Sequence, residues 1–213
     1  MPAIGITGGI STGKTTFCDL LKQLIPAAIF FDADQAARSL TATDPGVRKE
    51  IEEVFGKNLY SAEGNLNRAE LRAIILASGA KRRALEQILH PRIRSQWSAE
   101  AKRHRNSFFF ADIPLLYETG GETLCDRVVV VACSPDVQLQ RLLARRSPAG
   151  AGEAPTSRLS RTEAIEMIKT QMPLAEKIRK ADHLVWNNDG QPILEAQTRD
   201  LVKLWTGLKW IVK

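Results

Sequence analysis

The residues with the clearest chemistry form a glycine-rich segment near the N-terminus. It reads Gly8-Gly-Ile-Ser-Thr-Gly13-Lys14-Thr15 and fits the spacing G-x-x-x-x-G-K-[ST]. Glycines let backbone N–H groups wrap a phosphate, and the positive end of a following helix adds attraction. Lys14 would reach the β and γ phosphates, and the Thr15 hydroxyl would bind Mg²⁺. The segment therefore predicts a phosphate-binding loop (P-loop) for a nucleotide and Mg²⁺.

Aspartates follow two apolar, strand-like runs. A kinase needs a carboxylate to orient or deprotonate the attacking hydroxyl, and we assign that role to Asp34. Its neighbour Asp32 would then cap the helix that begins near Gln35. Asp112 would hold a water of the Mg²⁺ shell, as a Walker-B aspartate does, or contact the acceptor. The alternative for Asp112 is a strand-end turn polarised by Pro114.

Three arginines fall on one predicted helix, Arg141, Arg145 and Arg146, just before a flexible segment at 147–158. At the base of a lid, arginines can swing onto phosphates and neutralise the charge of transfer. The alternative is a solvated helix face. The interpretation of this segment as a mobile lid follows from its small residues and its place between two helices.

Short apolar runs are predicted to be the strands that position these residues. Near-continuous apolar strands that alternate with helices indicate a parallel sheet covered on both faces, hence an α/β fold. The runs are 3–7, 28–31, 108–113, 128–133 and 183–186. Ligands of such sheets sit at the carboxyl ends of the strands. The predicted rim of the site is therefore Thr7, Asp32, Asp34, Asp112 and Ser134.

The long gap between the second and third strands predicts a helical insertion that binds substrate. His90, next to Pro91, would meet substrate there, although a histidine near a helix kink is more often structural. The predicted helices of the insertion are 45–55, 68–77 and 81–104. The predicted division is a core of 1–44 with 105–213, an insertion of 45–104, and a lid at about 146–162.

Composition limits the class of protein. The 213 residues, 44% hydrophobic and 25% charged, indicate one globular domain with at most a smaller appended piece. Apolar runs stay well below the roughly 18 residues of a membrane span, and no leader is expected, so we expect a cytoplasmic protein without a membrane partner. The net charge of +6 suits a polyanionic ligand. The three cysteines have unrelated spacings, which disfavours a disulfide framework and a zinc cluster.

Blocks of residues along nearly the whole chain resemble the dephospho-CoA kinase family. The resemblance implies a P-loop, nucleotide-kinase-like fold with a five-stranded parallel sheet, a helical CoA domain and a lid. It also implies transfer of phosphate from MgATP to the ribose 3′-hydroxyl of dephospho-CoA, the last step of coenzyme A synthesis. Besides the P-loop, the blocks are Asp32-Ala33-Asp34, Leu66-Asn67-Arg68, Leu89-His90-Pro91, Asp112-Ile113-Pro114-Leu115-Leu116 with Glu118, Gln138 to Arg145, Gln171-Met172-Pro173-Leu174 with Lys177, Ala181-Asp182 and Asn188-Asp189-Gly190.

The resemblance also implies roles for individual residues. Catalysis is expected from Thr7, Lys14, Asp34 and Arg145. ATP is expected to contact Gly8, Gly9, Ile10, Ser11, Thr12, Gly13, Lys14, Thr15 and Thr16, with Asn188 near the adenine. The acceptor is expected to contact Asp34, Arg68, His90, Asp112 and Leu115, and Mg²⁺ to contact Thr15 and Asp112.

The chain departs from the family pattern in two places. The family usually has Gly and Ser at the positions of Ser11 and Thr12, so we expect the backbone there to avoid a conformation reserved for glycine. The lid is longer than usual and rich in Pro, Gly and Ala, and Arg146 stands where an acidic residue is common. Phosphate binding is still expected because Gly8, Gly13 and Lys14 are present.

Two other functions compete with this interpretation. Another small-molecule kinase, acting on a nucleoside or nucleotide, would use the same core. A nucleotide-dependent switch or nucleic-acid-binding ATPase would suit the positive charge, but the sequence has no Asn-Lys-x-Asp motif and no basic tract with interleaved aromatics. We therefore expect no nucleic-acid partner and no obligatory protein partner.

Overall fold

A computed structural model of the protein describes residues 3–144 and 159–207. Arg145 and Arg146, with their predicted roles, and most of the predicted lid lie outside these residues. Contacts divide the chain into two compact units, Met1–Phe31 with Ala101–Lys213, and Asp32–Glu100. The sequence had placed the limits of the insertion at 45 and 104.

The described strands form one five-stranded sheet in the order β2-β3-β1-β4-β5. The pairs β1–β3, β1–β4 and β4–β5 are parallel. Their bounds are β1 Ala3–Gly8, β2 Ile29–Asp32, β3 Phe109–Asp112, β4 Arg127–Ala132 and β5 His183–Trp186. The α/β fold predicted from the alternation of apolar runs and helical patterns is confirmed. The register aligns Ile6 with Asp112 and Gly8 with Val131, so the ends of three neighbouring strands lie together.

The helices account for most of the remaining described chain. Their bounds are α1 Lys14–Leu24, α2 Ala33–Thr43, α3 Pro45–Phe55, α4 Arg68–Ala77, α5 Gly79–Arg103, α6 Pro135–Ala144, α7 Arg161–Lys169, α8 Leu174–Lys180 and α9 Gln191–Gly207. Short 3₁₀ turns lie at Lys57–Leu59 and Gly121–Leu124. A capping box formed by Ser160 and Glu163 opens α7. None of the helices in the described part of the chain is long and apolar enough to cross a bilayer.

The core of the first unit lies between the sheet and the helices α1 and α9. Helix α1 buries Phe17 and Leu21, and both are fully enclosed. Trp205 of α9 is also fully buried and packs against Phe110 of β3 with ring centroids 5.7 Å apart. Trp205 is therefore part of the core. This packing fixes the start of α1 against the sheet, which positions the P-loop.

The second unit consists of α2 to α4 and most of α5. Asp44 caps α3 by accepting hydrogen bonds from Gly46 and Val47, and Asn67 caps α4. The Tyr60 hydroxyl donates to the Thr41 carbonyl at 3.0 Å, which ties the loop after α3 to the end of α2. This unit thus has its own network of polar contacts.

Candidate active site

The P-loop connects the end of β1 to the first residue of α1. Gly13 stands at the helix N-terminus with a φ of 94°, a left-handed conformation that favours glycine. A Cβ at Gly13 would also collide with the side-chain amide of Asn187. The strand–loop–helix context that the motif requires is therefore present, and Gly13 is needed for two independent reasons.

Ser11 adopts a left-handed backbone conformation, with a φ of 62°. The sequence-based expectation that the loop would avoid such a conformation at this position is wrong. The loop keeps a conformation that a glycine would adopt more easily, although Ser11 carries a Cβ. Other contacts must therefore stabilise the loop.

Two glutamines hold the residue just before Ser11. The Ile10 N–H donates to Gln171 Oε1 at 2.9 Å, and Gln138 Nε2 donates to the Ile10 carbonyl at 2.9 Å. On the other side, Asn187 Nδ2 donates to the Thr12 carbonyl at 2.9 Å. Gln138 and Gln171 lie in blocks that resemble the family, but their sequence context predicted no role for them.

Lys14 forms an ion pair with Asp112 at the end of β3. The other carboxylate oxygen of Asp112 accepts from the Cys18 thiol at 3.6 Å. Burial, together with the Asp112 charge, raises the pKa of Cys18 well above its usual range. Lys14 and Asp112, which the sequence predicted to belong to one site, are thus in direct contact.

A buried lysine joins the start of the P-loop to the turn after β3. The Lys177 side chain of α8 is 0% exposed, and its ammonium donates to the Gly8 carbonyl at 3.3 Å and to the Pro114 carbonyl at 2.9 Å. It also pairs with Glu118 Oε1 at 2.9 Å. The Thr7 hydroxyl donates to the same Pro114 carbonyl at 2.9 Å. Thr7 therefore belongs to this network, and its predicted part in catalysis remains a prediction.

Other candidate residues of the first unit have varied surroundings. Thr15 and Thr16, in the first turn of α1, are exposed, and Leu115 is partly buried. Asn188 Oδ1 accepts a hydrogen bond from the Ser134 N–H at 2.7 Å, which joins the ends of β4 and β5. The proposed contact of Asn188 with adenine remains a prediction.

The remaining acceptor-binding candidates lie in the second unit. Asp32 caps α2 by accepting from the Gln35 N–H at 3.0 Å, and Asp34 lies in the first turn of the same helix. Arg68 donates to a backbone carbonyl of α2 at 3.2 Å. His90 is partly buried in α5, and this burial lowers its pKa. Their contact with a substrate remains a prediction.

The parallel sheet and the glycine-rich loop before α1 define a P-loop kinase fold. A family model described as dephospho-CoA kinase matches residues 2–192. A dephospho-CoA kinase from Listeria monocytogenes serotype 4b is 36% identical over 208 residues, covering 94% of this chain and 95% of the relative. The chain belongs to the dephospho-CoA kinase family and is a kinase.

Solved structures share the fold of this chain. The crystal structure of TT1252 from Thermus thermophilus has a TM-score of 0.75 at 27% identity, covering 95% of this chain and 96% of that one. A dephospho-CoA kinase from Campylobacter jejuni has a TM-score of 0.67 at 24% identity, covering 94% and 95%. The second likeness shows a common fold.

Proposed function

We propose that the chain transfers the γ-phosphoryl group of ATP to the ribose 3′-hydroxyl of dephospho-CoA, which gives CoA and ADP. The match to the family model over residues 2–192 carries this proposal. The loop from Gly8 to Thr15 supports the ATP half, because its sequence and backbone conformation are those of a phosphate site at a helix N-terminus. We place the reaction in the cytoplasm.

Lys14 supplies the positive charge for the phosphates. In the structure its ammonium is paired with Asp112. When nucleotide binds, the β and γ phosphates become its partners and Asp112 is released from the pair. Neutralisation of the phosphates by a fixed ammonium stabilises the charge that develops during transfer.

Thr15 and Asp112 are suited to Mg²⁺, because hydroxyl and carboxylate oxygens are donors that this ion prefers. Both oxygens of Asp112 accept hydrogen bonds in the structure, from Lys14 and Cys18. We assign Asp112 to the water shell of the ion, the role of a Walker-B aspartate, and Thr15 to a direct contact. When bound, the ion would neutralise phosphate charge.

The acceptor half of the proposal rests on Asp34, with Arg68, His90 and Leu115 as binding residues. Asp34 is exposed in the first turn of α2. Its carboxylate would accept a hydrogen bond from the 3′-hydroxyl and so orient the oxygen for in-line attack. Arg145 is assigned to the phosphates on the basis of the family resemblance.

An acceptor panel tests the proposal. Purified protein with MgATP is given dephospho-CoA, AMP, CMP or adenosine, and ADP release is followed in a coupled assay. We expect turnover with dephospho-CoA at least about 100-fold above the other acceptors, because a site built to bind one substrate leaves polar groups unpaired with another. Preferred turnover of AMP, CMP or adenosine would replace the proposal with a nucleotide or nucleoside kinase.

Lys14→Ala tests the role of the loop. Removal of a charge that stabilises the transition state should lower kcat by about 100-fold or more. Lys169→Ala is the matched control, because Lys169 pairs with Glu166 on the surface of α7, where both side chains are about two-thirds exposed. An active Lys14→Ala variant would exclude the proposed mechanism.

A further inference from the structure

Ile10 is held at both of its backbone polar groups by side-chain amides. Gln171 lies just after α7 and accepts from the Ile10 N–H, while Gln138 of α6 donates to the Ile10 carbonyl; both distances are 2.9 Å. Gln138 is only 5% exposed. A Cβ at Gly9 would lie 2.6 Å from Gln138 Nε2, so the glutamine packs tightly against the loop. Gln138 and Gln171 are named here the glutamine brace.

The residue that follows Ile10 is in an unfavourable conformation. Ser11 has a φ of 62°, and a Cβ makes left-handed backbone less favourable than it is for glycine. Its Oγ is enclosed, and within the described residues no group forms a hydrogen bond with it. A buried hydroxyl without a partner adds to the unfavourable free energy of this state.

A backbone conformation of this kind persists when the surrounding contacts over-determine it. The loop meets this condition on both sides of Ser11. Ile10 is held by the glutamine brace, and the Thr12 carbonyl by Asn187. Thr12 in turn bonds to the Gly9 carbonyl through its N–H at 3.3 Å and its hydroxyl at 2.9 Å.

We infer that Gln138 and Gln171 are positioning residues that keep Ser11 left-handed and so hold the P-loop in its phosphate-binding shape. They act through the backbone of Ile10 and make no contact of their own with the nucleotide. Without the brace, Ser11 relaxes to a more favourable conformation, and the N–H groups of the loop no longer converge on one phosphate. This inference rests on the proposed use of the loop for ATP.

The first test measures ADP binding to the complete protein by calorimetry, together with the unfolding temperature of the nucleotide-free protein. Gln171→Met removes the acceptor for the Ile10 N–H while it keeps the length of the side chain. We expect ADP to bind about tenfold more weakly to this variant. Gln138→Met is a second, independent variant, with an effect in the same direction.

Gln197→Met is the matched control. Gln197 of α9 also holds both backbone groups of one residue, because it bonds to the N–H and the carbonyl of Trp186, each at 2.9 Å. Its replacement removes the same kind of contact away from the P-loop. It should lower the unfolding temperature as much as Gln171→Met does and leave ADP affinity within about twofold of the original.

Ser11→Gly separates positioning from a direct contact. Glycine adopts left-handed backbone without a brace. The effect of Gln171→Met on ADP affinity should therefore shrink from about tenfold to less than about twofold in the Ser11→Gly background. An unchanged tenfold effect there would overturn the inference, since Gln171 would then act other than through Ser11. Full ADP affinity of Gln171→Met would overturn it as well.

A failure of the inference about the glutamine brace is distinguishable from a failure of the proposed function. If the acceptor panel shows that dephospho-CoA is not the substrate, ADP binding still reports on the loop, and the double-variant comparison still decides whether the brace acts on Ser11. If the unaltered protein does not bind ADP, the proposed function fails, and the inference that rests on it fails too.

Discussion

Replacement of Lys177 by Met should strongly destabilise the protein, because Lys177 is a buried, charged side chain. The side chain is 0% exposed. Its ammonium donates hydrogen bonds to the carbonyls of Gly8 and Pro114 and forms an ion pair with Glu118. Methionine retains much of the apolar stem and removes the charge and the donors. The Glu118 carboxylate would then keep the Met172 N–H, which donates to it at 2.9 Å, and lose its counter-ion.

The magnitude follows from this geometry. Loss of one partner of a buried ion pair costs about 3–5 kcal/mol. The Glu118 side chain is 21% exposed, so water can solvate the carboxylate in part, and the lower limit of about 3 kcal/mol applies. In a chain of this length, Tm falls by roughly 2–4 °C per kcal/mol, which gives a decrease of about 6–12 °C.

Thermal unfolding of four proteins measures the coupling free energy between Lys177 and Glu118. The four are the original protein, Lys177→Met, Glu118→Gln and the double variant. Glu118→Gln keeps an acceptor oxygen and removes the charge. Because the two residues contact each other, the double variant should be less destabilised than the two single changes together, with a coupling free energy of about 1–3 kcal/mol.

Lys203→Met provides the comparison with a surface pair. Lys203 bonds to Asp200 at 3.3 Å, and their side chains are 77% and 75% exposed. This replacement should change stability by no more than about 0.5 kcal/mol. Two results would refute the claim that the buried pair of Lys177 and Glu118 stabilises the protein: unfolding of Lys177→Met and Lys203→Met within about 2 °C of each other, or a coupling free energy of zero between Lys177 and Glu118.

Three further predictions concern the catalytic carboxylate, the partly buried histidine and the thiols. Asp34→Asn should lower kcat by about 100-fold and change ATP affinity by less than about threefold, whereas equal loss of both in kinetics and calorimetry would contradict its role. Burial lowers the pKa of His90 below its ordinary value of about 6.5. The contribution of His90 to stability is therefore complete above that pH and is lost as the pH falls toward the folded-state pKa. In denaturant unfolding, the free energy of unfolding of His90→Gln should decrease less at acid pH than that of the original protein does. Burial raises the pKa of all three thiols, that of Cys125 to about 12, so a chromogenic disulfide reagent at pH 8 should modify Cys18, Cys125 and Cys133 far more slowly in the folded protein than in denaturant; a fast thiol would show that one of them is accessible.

The local elements were predictable because their signals lie within a few residues. Asp44 followed by a proline marks the start of α3, and Asn67 marks the start of α4, and both helices have the predicted bounds. The pattern of apolar runs likewise predicted the strands to within a residue or two. The order β2-β3-β1-β4-β5 required the structure, since neighbouring strands in a sheet need not follow one another in the chain.

The local sequence of the P-loop predicted its phosphate-binding residues but not its backbone conformation. Its glycines, Lys14 and Thr15 were readable from spacing, but the conformation of Ser11 was predicted wrongly. A sequence-based rule for the backbone conformation of one residue takes account of the Cβ of that residue. It takes no account of contacts from side chains that are distant in the chain. The contacts that Ile10 makes with Gln138 and Gln171 span 128 and 161 positions along the chain. Only the fold brings those residues to the loop.

The family-like blocks that received no role in the sequence analysis turn out to contain the residues that hold the site. Gln171 contacts the P-loop at Ile10, and Lys177 contacts it at Gly8, on either side of Gly9. Gln171 lies between α7 and α8, and Lys177 lies within α8; this part of the chain has no phosphate-binding motif of its own. A glycine-rich loop can adopt several backbone conformations, so its motif specifies the atoms that bind phosphate without specifying their positions. In this kinase, side chains from α6, α8 and the segment after α7 supply those positions, and a variant of the loop such as Ser11 is tolerated as long as they do.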